Sequence, residues 1–423
     1  MLIRRVKKYL SGTYIHNVGW MAGAEIAHRF IRLASTVILA RVFTPEDYGL
    51  MAMIYTIFDF FQVFTMRGGV GAKIIQADDQ DVYEICNTAY WLNWICCVLL
   101  FIVQSLAALV LSYFSEGRPL ALPLFVVAFI YLTYPLFAIH LTLIERENRF
   151  KATAICNVSA SLVASTITAS FALMGMGIWS IVCSLISMFP VWIILAWKFH
   201  PWRPPLRFNI DRWREVVGFG SSLLMNELLN KLRTNIDYLI VGRYLGVQAL
   251  GLYYFAFNAG SGITTSLLNT FMSPMYPYIC AVKNNYSEFK ERYFKSLKKV
   301  TFILVPIILL QASLAPIYVP IVFGEKWVVA IPVLILICLS VIPLIYNWAA
   351  GLLLNSINKP KIPVQVSLVS TTIFIISLLI VVKYGIVWVA ATVLLNQAVV
   401  SSVFTIWMNK FALQEKHFLR YKI

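Results

Sequence analysis

Residues 328–354 read VVAIPVLILICLSVIPLIYNWAAGLLL, without a single Asp, Glu, Lys, Arg or His. A helix needs about 20 apolar residues to cross the hydrocarbon core of a bilayer, so this stretch is long enough to span by itself. Working outward from it, further runs of the same kind lie at 15–40, 48–66, 87–114, 120–144, 152–174, 178–197, 216–242, 252–279, 300–323, 363–382 and 386–408. Spans 15–40 and 216–242 are the least apolar. The composition agrees: of 423 residues, 60% are hydrophobic and 13% are charged, and the mean hydropathy is +0.77. A soluble domain is about half apolar and about a quarter charged. A soluble enzyme, a secreted disulfide scaffold and a disordered chain are thereby excluded. The sequence predicts an all-α polytopic membrane protein of about 12 transmembrane helices.

The net charge of +16 comes from 35 basic and 19 acidic residues. Its location explains it. With the N-terminus in the cytoplasm, the inner segments carry 26 of the 35 Lys and Arg residues. The outer loops carry only Arg41, Arg118, Arg243, Lys326 and Lys383. That asymmetry is the positive-inside pattern, and it predicts a multi-pass membrane protein with both termini in the cytoplasm. The excess charge faces anionic lipid, so no nucleic-acid partner is needed. The N-terminal basic cluster resembles a signal peptide, but the segment after it carries Asn17, Glu25, His28 and Arg29, where an h-region is cleanly apolar.

Shifted by 202 residues, the chain meets itself: Glu25 falls on Glu227, Arg29 on Lys231, Ile38 on Ile240, Arg41 on Arg243, Gly49 on Gly251 and Leu50 on Leu252. The Pro-rich stretch His200–Arg207 lies between the halves. The organisation expected is an N-terminal six-helix lobe over 1–200, a cytoplasmic linker over 201–215 and a C-terminal six-helix lobe over 216–423. An even span count per lobe makes this a parallel repeat, with two pseudo-symmetric lobes around a central cavity, as many transporters have.

Ionisable groups inside spans are costly and mark pathways. Glu25, His28, Arg29 and Arg32 share one face of the first span at 100° per residue. Asn226, Glu227, Asn230, Lys231, Thr234 and Asp237 share a face of the seventh, with Arg233 at its edge. Glu25–Arg29, Glu227–Lys231 and Arg233–Asp237 are also i,i+4 pairs, so the charges read either as a hydrated pathway or as pairs that merely ease insertion. Asp59 stands alone on an aromatic second span, as an ion site or as the partner of a first-span Arg. Pro135, Pro190, Pro306, Pro332 and Pro343 lie inside spans, where prolines kink helices.

No catalytic motif is found, and no P-loop, so an ATP-driven engine and a cofactor are not expected in this chain. The five histidines have no metal spacing, and the seven cysteines read as small buried hydrophobes.

The stretch Arg32 to Leu50, RLASTVILARVFTPEDYGL, resembles the first-span signature of Wzx-type polysaccharide flippases. These form the polysaccharide transport branch of the multidrug/oligosaccharidyl-lipid/polysaccharide exporter superfamily. Asn235 to Gly246, NIDYLIVGRYLG, followed by Leu250 to Tyr253, resembles the seventh-span counterpart, and Gly69 to Gln76 resembles the segment after the second span. The likeness covers nearly the whole chain and is nearest to the colanic acid exporter type. It implies export of an undecaprenyl-diphosphate-linked oligosaccharide for O-antigen, capsule or exopolysaccharide assembly, with membrane lipids around it. A polysaccharide polymerase and a chain-length regulator are the protein partners it suggests. On that reading Arg29, Arg32, Lys231 and Arg233 bind the diphosphate, while Glu25, Asp59, Glu227 and Asp237 serve coupling or charge pairing. The competing readings are a multidrug or small-solute antiporter on the same plan, and a membrane polymerase or ligase of the glycan pathway. Cysteine-accessibility labelling at Ser11, Glu116, Asn209 and Lys326 is expected to report inside, outside, inside and outside; an outward Asn209 contradicts the two-lobe topology.

Overall fold

The computed structural model describes residues 31–65, 67–114, 120–204, 208, 210–282, 285–357, 359 and 361–413. The described residues are 89% helical, and no strand occurs among them. Hydrocarbon offers no water to backbone N–H and C=O groups, and a helix satisfies them within itself. Seven described helices are long and apolar enough to cross a membrane: Val82–Val110, Phe150–Leu173, Trp179–Phe199, Tyr286–Phe323, Glu325–Ser356, Lys361–Tyr384 and Ile386–Ala412. Ala121–Thr133 and Pro135–Arg146, bent by 51° where they meet, are together long and apolar enough to make up to one more. The remaining four sequence-predicted spans are the more polar ones. Span 48–66 is the helix Pro45–Val63, span 216–242 lies in Trp213–Met272, and span 252–279 begins in that helix and ends in the short helix Met275–Cys280. Of span 15–40, residues 31–42 are helical and the rest falls outside the described residues.

The surfaces suit lipid. Leu99, Val103, Leu106 and Val110 line one face of Val82–Phe114, and all are exposed. A water-soluble monomer rarely shows such a continuous apolar strip. The chain is a multi-pass membrane protein.

Three local signals set where the helices start and break. Thr44 N–H and Oγ1 donate to Asp47 Oδ2 at 2.9 and 2.8 Å, and Asp47 N–H donates back to Thr44 Oγ1 at 3.2 Å. This reciprocal cap, with Pro45 at the first helical position, fixes the start of Pro45–Val63. Pro135 has no N–H to give, and Tyr134 N–H takes the carbonyl of Tyr131 at 3.2 Å instead. Pro190, Pro306 and Pro343 sit inside continuous helices. Gly246, with φ 85° and ψ 177°, interrupts Trp213–Met272 in a conformation that side chains with a Cβ disfavour. It falls between the two spans read from the sequence.

The residues group into two compact units, one of 1–43 with Met53–Thr234, the other of Thr44–Ala52 with 235–423. The segment 201–215, read from sequence as the boundary, lies inside the first unit. Its residues are tied back: Arg212 Nη2 bonds Asp81 at 2.8 Å and its Nε bonds Glu84 at 3.1 Å, while Lys73 Nζ bonds Glu215 at 2.7 Å. The Asp81 hydrogen bond raises the Arg212 pKa above its ordinary value. The stretch 67–86, between the sequence-predicted spans 48–66 and 87–114, holds the helix Arg67–Gln76. Val70 and Ile74 of that helix pack with Ile85, Tyr90, Leu143 and Val216. Arg146 closes its C-terminus, donating to the carbonyls of Ile74 and Ile75 at 2.6 and 3.1 Å and to Asp79 at 2.6 Å.

In the second unit the repeat becomes a contact. A Cβ on Gly49 would strike the carbonyl oxygen of Val247, and one on Gly251 would strike the carbonyl oxygen of Pro45. Pro45 and Val247 are themselves 202 residues apart, as are Gly49 and Gly251. The two repeat-related helix starts thus cross reciprocally, backbone on backbone. Beside the crossing, Phe255 stacks on Trp327 at 4.1 Å and Tyr48 meets Trp327 edge-on at 4.7 Å. The seven cysteines are free thiols; Cys86, Cys97, Cys156 and Cys338 are buried, while Cys96, Cys183 and Cys280 are only partly so.

Gly49→Ala and Gly251→Ala are each expected to lower folded stability by about 1–3 kcal/mol or more, because backbone cannot yield as a side-chain tip does. Gly351→Ala, where a Cβ meets open space, is expected to melt no lower than the wild type. Thermal unfolding in detergent checks this, and equal melting of all three variants contradicts the close approach.

Candidate functional site

The predicted site residues fall on both units, and each group is described within its own. In the first unit, Lys231 Nζ donates to Asp59 Oδ2 at 2.7 Å, joining residues 172 apart in sequence. Both side chains are about one third exposed, at 32% and 38%. Asp59 is thus paired with Lys231 of the seventh span; Arg29, one of the first-span partners read for it from sequence, lies outside the described residues. Arg32 is exposed, and its carbonyl accepts from Thr36 Oγ1 at 2.8 Å. Arg233 is half-buried and Glu227 is exposed. Arg29 and Glu25, the other halves of the repeat-related pairs, lie outside the described residues.

Asp237 belongs to the second unit and is 4% exposed. Its Oδ2 accepts from Tyr253 Oη at 2.8 Å and its Oδ1 from Tyr238 N–H at 3.0 Å. These bonds replace the i,i+4 pairing with Arg233 that the spacing predicts. Tyr238 is ringed by Tyr253, Tyr254 and Phe257 at centroid distances of 5.8, 5.3 and 5.6 Å. Sequence reasoning missed Tyr253: it lies beyond Gly246, on the following helix, outside any i,i+4 relation.

Chemically, the two acids differ. Asp59 and Lys231 form a partly wet ion pair whose ammonium can be taken over by a stronger anion. Asp237 is a buried carboxyl group held by two neutral donors, a phenol and a backbone N–H, an arrangement that suits gain and loss of a proton or a small cation. Among the described residues no three His, Cys, Asp or Glu side chains gather as a metal site.

The class that this fold and these residues define is a multi-pass helical membrane protein with ionisable groups on its helices. The chain belongs to the family described as polysaccharide biosynthesis protein, whose model matches residues 38–332. It is 23% identical to the teichuronic acid biosynthesis protein TuaB of Bacillus subtilis over 79% of this chain and 70% of that one. It is 25% identical to the lipopolysaccharide biosynthesis protein WzxC of Escherichia coli K12, over 86% of this chain and 74% of that one. Among solved structures, its fold is similar to that of the lipid II flippase MurJ in an inward closed conformation. The TM-score there is 0.75 at 14% identity, covering 95% of this chain and 89% of that one. It is also similar to an inward-facing multidrug resistance MATE family transporter of the MOP superfamily, with a TM-score of 0.71 at 12% identity over 94% and 96%.

A double-mutant cycle on Asp59→Ala and Lys231→Ala, read by thermal unfolding, is expected to show a coupling of about 1 kcal/mol, as befits a partly exposed pair. Strictly additive losses contradict the ion pair.

Proposed function

We propose that this protein moves an undecaprenyl-diphosphate-linked oligosaccharide from the cytoplasmic to the outer leaflet of the inner membrane for polysaccharide assembly. The observation that carries the reading is membership of the polysaccharide biosynthesis family by a chain built almost wholly of membrane-spanning helices. The fold it shares with a flippase for another lipid-linked saccharide supports it. The protein acts as a transporter and not as an enzyme, with both termini cytoplasmic and with membrane lipids as its solvent. A polysaccharide polymerase and a chain-length regulator are its working partners.

Lobes 1–200 and 216–423 alternate access about a central site, with 201–215 as the linker. A diphosphate in a low-dielectric passage needs cationic hosts, and Arg29, Arg32, Lys231 and Arg233 supply them. Lys231 waits on Asp59, and the diphosphate takes the ammonium over as it arrives. Glu25 and Glu227, one turn before Arg29 and Lys231, hold those cations when the site is empty. Coupling falls to the acids, with the enclosed Asp237 the best suited of the four to carry a proton or a cation between access states. The shared fold with multidrug transporters keeps a cationic-drug antiporter as the second reading.

Loss of one charged hydrogen bond costs about 1.5–3 kcal/mol, or roughly ten- to a hundredfold in diphosphate affinity. Glycan export in cells carrying Arg29→Ala, Arg32→Ala, Lys231→Ala or Arg233→Ala, at matched membrane expression, is the test. Export is expected to fall in each variant. Wild-type export by both Arg29→Ala and Lys231→Ala removes the cationic site, and drug resistance without glycan export points to the antiporter.

A further inference from the structure

A cavity of about 490 Å³ opens in the second unit, within the range of about 300–1,000 Å³ that small-ligand sites occupy. Asn269, Met272 and Ser273 line it from the end of Trp213–Met272 and the turn after it, Tyr276 from Met275–Cys280, and Trp348, Leu352 and Asn355 from the last turns of Ile331–Ser356. None of these seven side chains carries a formal charge at neutral pH. That composition argues against the ligands the rest of the protein invites. A diphosphate needs cations, a cationic drug needs an acid or a continuous aromatic cage, and a polyprenyl tail needs an unbroken apolar wall.

What the lining offers is mixed in a particular way. Trp348 presents an indole, and Met272 and Leu352 give apolar ground beside it. Asn269, Ser273 and Asn355 bring neutral groups that both donate and accept. Among the described residues, the side chains of Asn269, Ser273 and Asn355 make no hydrogen bond within the protein, so their capacity is left for a ligand. A ligand with one flat apolar face of C–H groups and a rim of hydroxyls satisfies all of these at once. That is a pyranose ring.

We propose that this cavity is a saccharide subsite, in which Trp348 stacks on the apolar face of a pyranose while the amides of Asn269 and Asn355 and the hydroxyl of Ser273 bond its hydroxyls. The proposal rests on the reading of the protein as a carrier of lipid-linked glycan and deepens it. The cations answer for the diphosphate that every such substrate shares, and this cavity answers for the sugar that distinguishes one substrate from another. By the charge-derived orientation the cavity lies toward the cytoplasmic ends of its helices, the side from which a glycan is loaded. Because each amide both donates and accepts at fixed positions, axial and equatorial hydroxyls are told apart, and the subsite selects among hexoses.

The test compares binding of farnesyl diphosphate with that of its glucosyl, galactosyl and N-acetylglucosaminyl diphosphate derivatives, using the full-length protein in nanodiscs and isothermal titration. The wild type is expected to bind at least one sugar-bearing probe roughly tenfold more tightly than farnesyl diphosphate. Trp348→Ala is expected to erase that margin and to leave farnesyl diphosphate affinity unchanged, while Trp348→Phe keeps part of it. Asn269→Ala and Asn355→Ala are expected to change the ranking of the three sugars. Lys231→Ala, by contrast, is expected to weaken all four probes alike. Equal wild-type affinity for all four probes, or a margin that survives Trp348→Ala, overturns the subsite and leaves the carrier reading standing. Failure of the wild type to bind any of the four overturns both. A misfolded Trp348→Ala is recognised by loss of farnesyl diphosphate binding, and Trp348→Phe then carries the comparison.

Discussion

A peptide group in hydrocarbon has no water to bond, and every described element of this protein answers that constraint. The spans are helices because a helix closes its own hydrogen bonds. Where one breaks, the freed groups are taken up locally. Pro135 withdraws a donor from the carbonyl of Tyr131, and Tyr134 N–H, one residue earlier, supplies another. The chain reverses direction near Gly246 through one residue in a positive-φ conformation. Arg146 covers the open carbonyls at the end of Arg67–Gln76. Apolar side chains then turn outward, as on Val82–Phe114, because lipid and not water is their neighbour.

The same solvent makes ionisable groups informative. Lys231 and Asp237 lie six residues apart on one long helix, yet they are handled differently. Lys231 is matched by a formal opposite charge, Asp59, and keeps about a third of its side chain exposed. Asp237 is matched by a phenol and a backbone N–H and is closed off from solvent. A pair of opposite charges needs little further shielding and is open to an incoming anion. A buried carboxylate without an opposite charge is stable in place only through its hydrogen-bond donors.

The reciprocal crossing of Pro45–Gly49 and Val247–Gly251 gives the internal repeat a physical meaning. Two copies of a helix start meet with no side chain between them, and only glycine at both positions permits it. Pro45–Val63 enters one compact unit at its capped end and continues in the other, and Trp213–Met272 likewise contributes to both.

Much of this was legible in the residues themselves. Apolar run length determined the helical, membrane-spanning class, because about 20 residues of hydrocarbon-compatible sequence admit no other structure. The 202-residue echo of Glu25, Arg29, Arg41 and Gly49 marked the repeat, and the break between spans 216–242 and 252–279 fell where Gly246 sits. Tertiary structure alone decided who partners whom. Asp59 and Lys231 are 172 residues apart, and nothing in local spacing joins them. Helical periodicity pairs Asp237 with Arg233, but Tyr253, folded back beyond Gly246, supplies its hydrogen bond instead. The stretch 201–215 reads as a linker from its prolines, yet Arg212 and Glu215 bind it to one unit through ion pairs with residues more than a hundred positions away. The cavity lined by Trp348 likewise brings the end of Ile331–Ser356 to residues 269–276, about 80 positions earlier, so no motif announces it. Sequence patterns record each helix's own periodicity and its solvent, whereas contacts across long separations depend on how the helices pack.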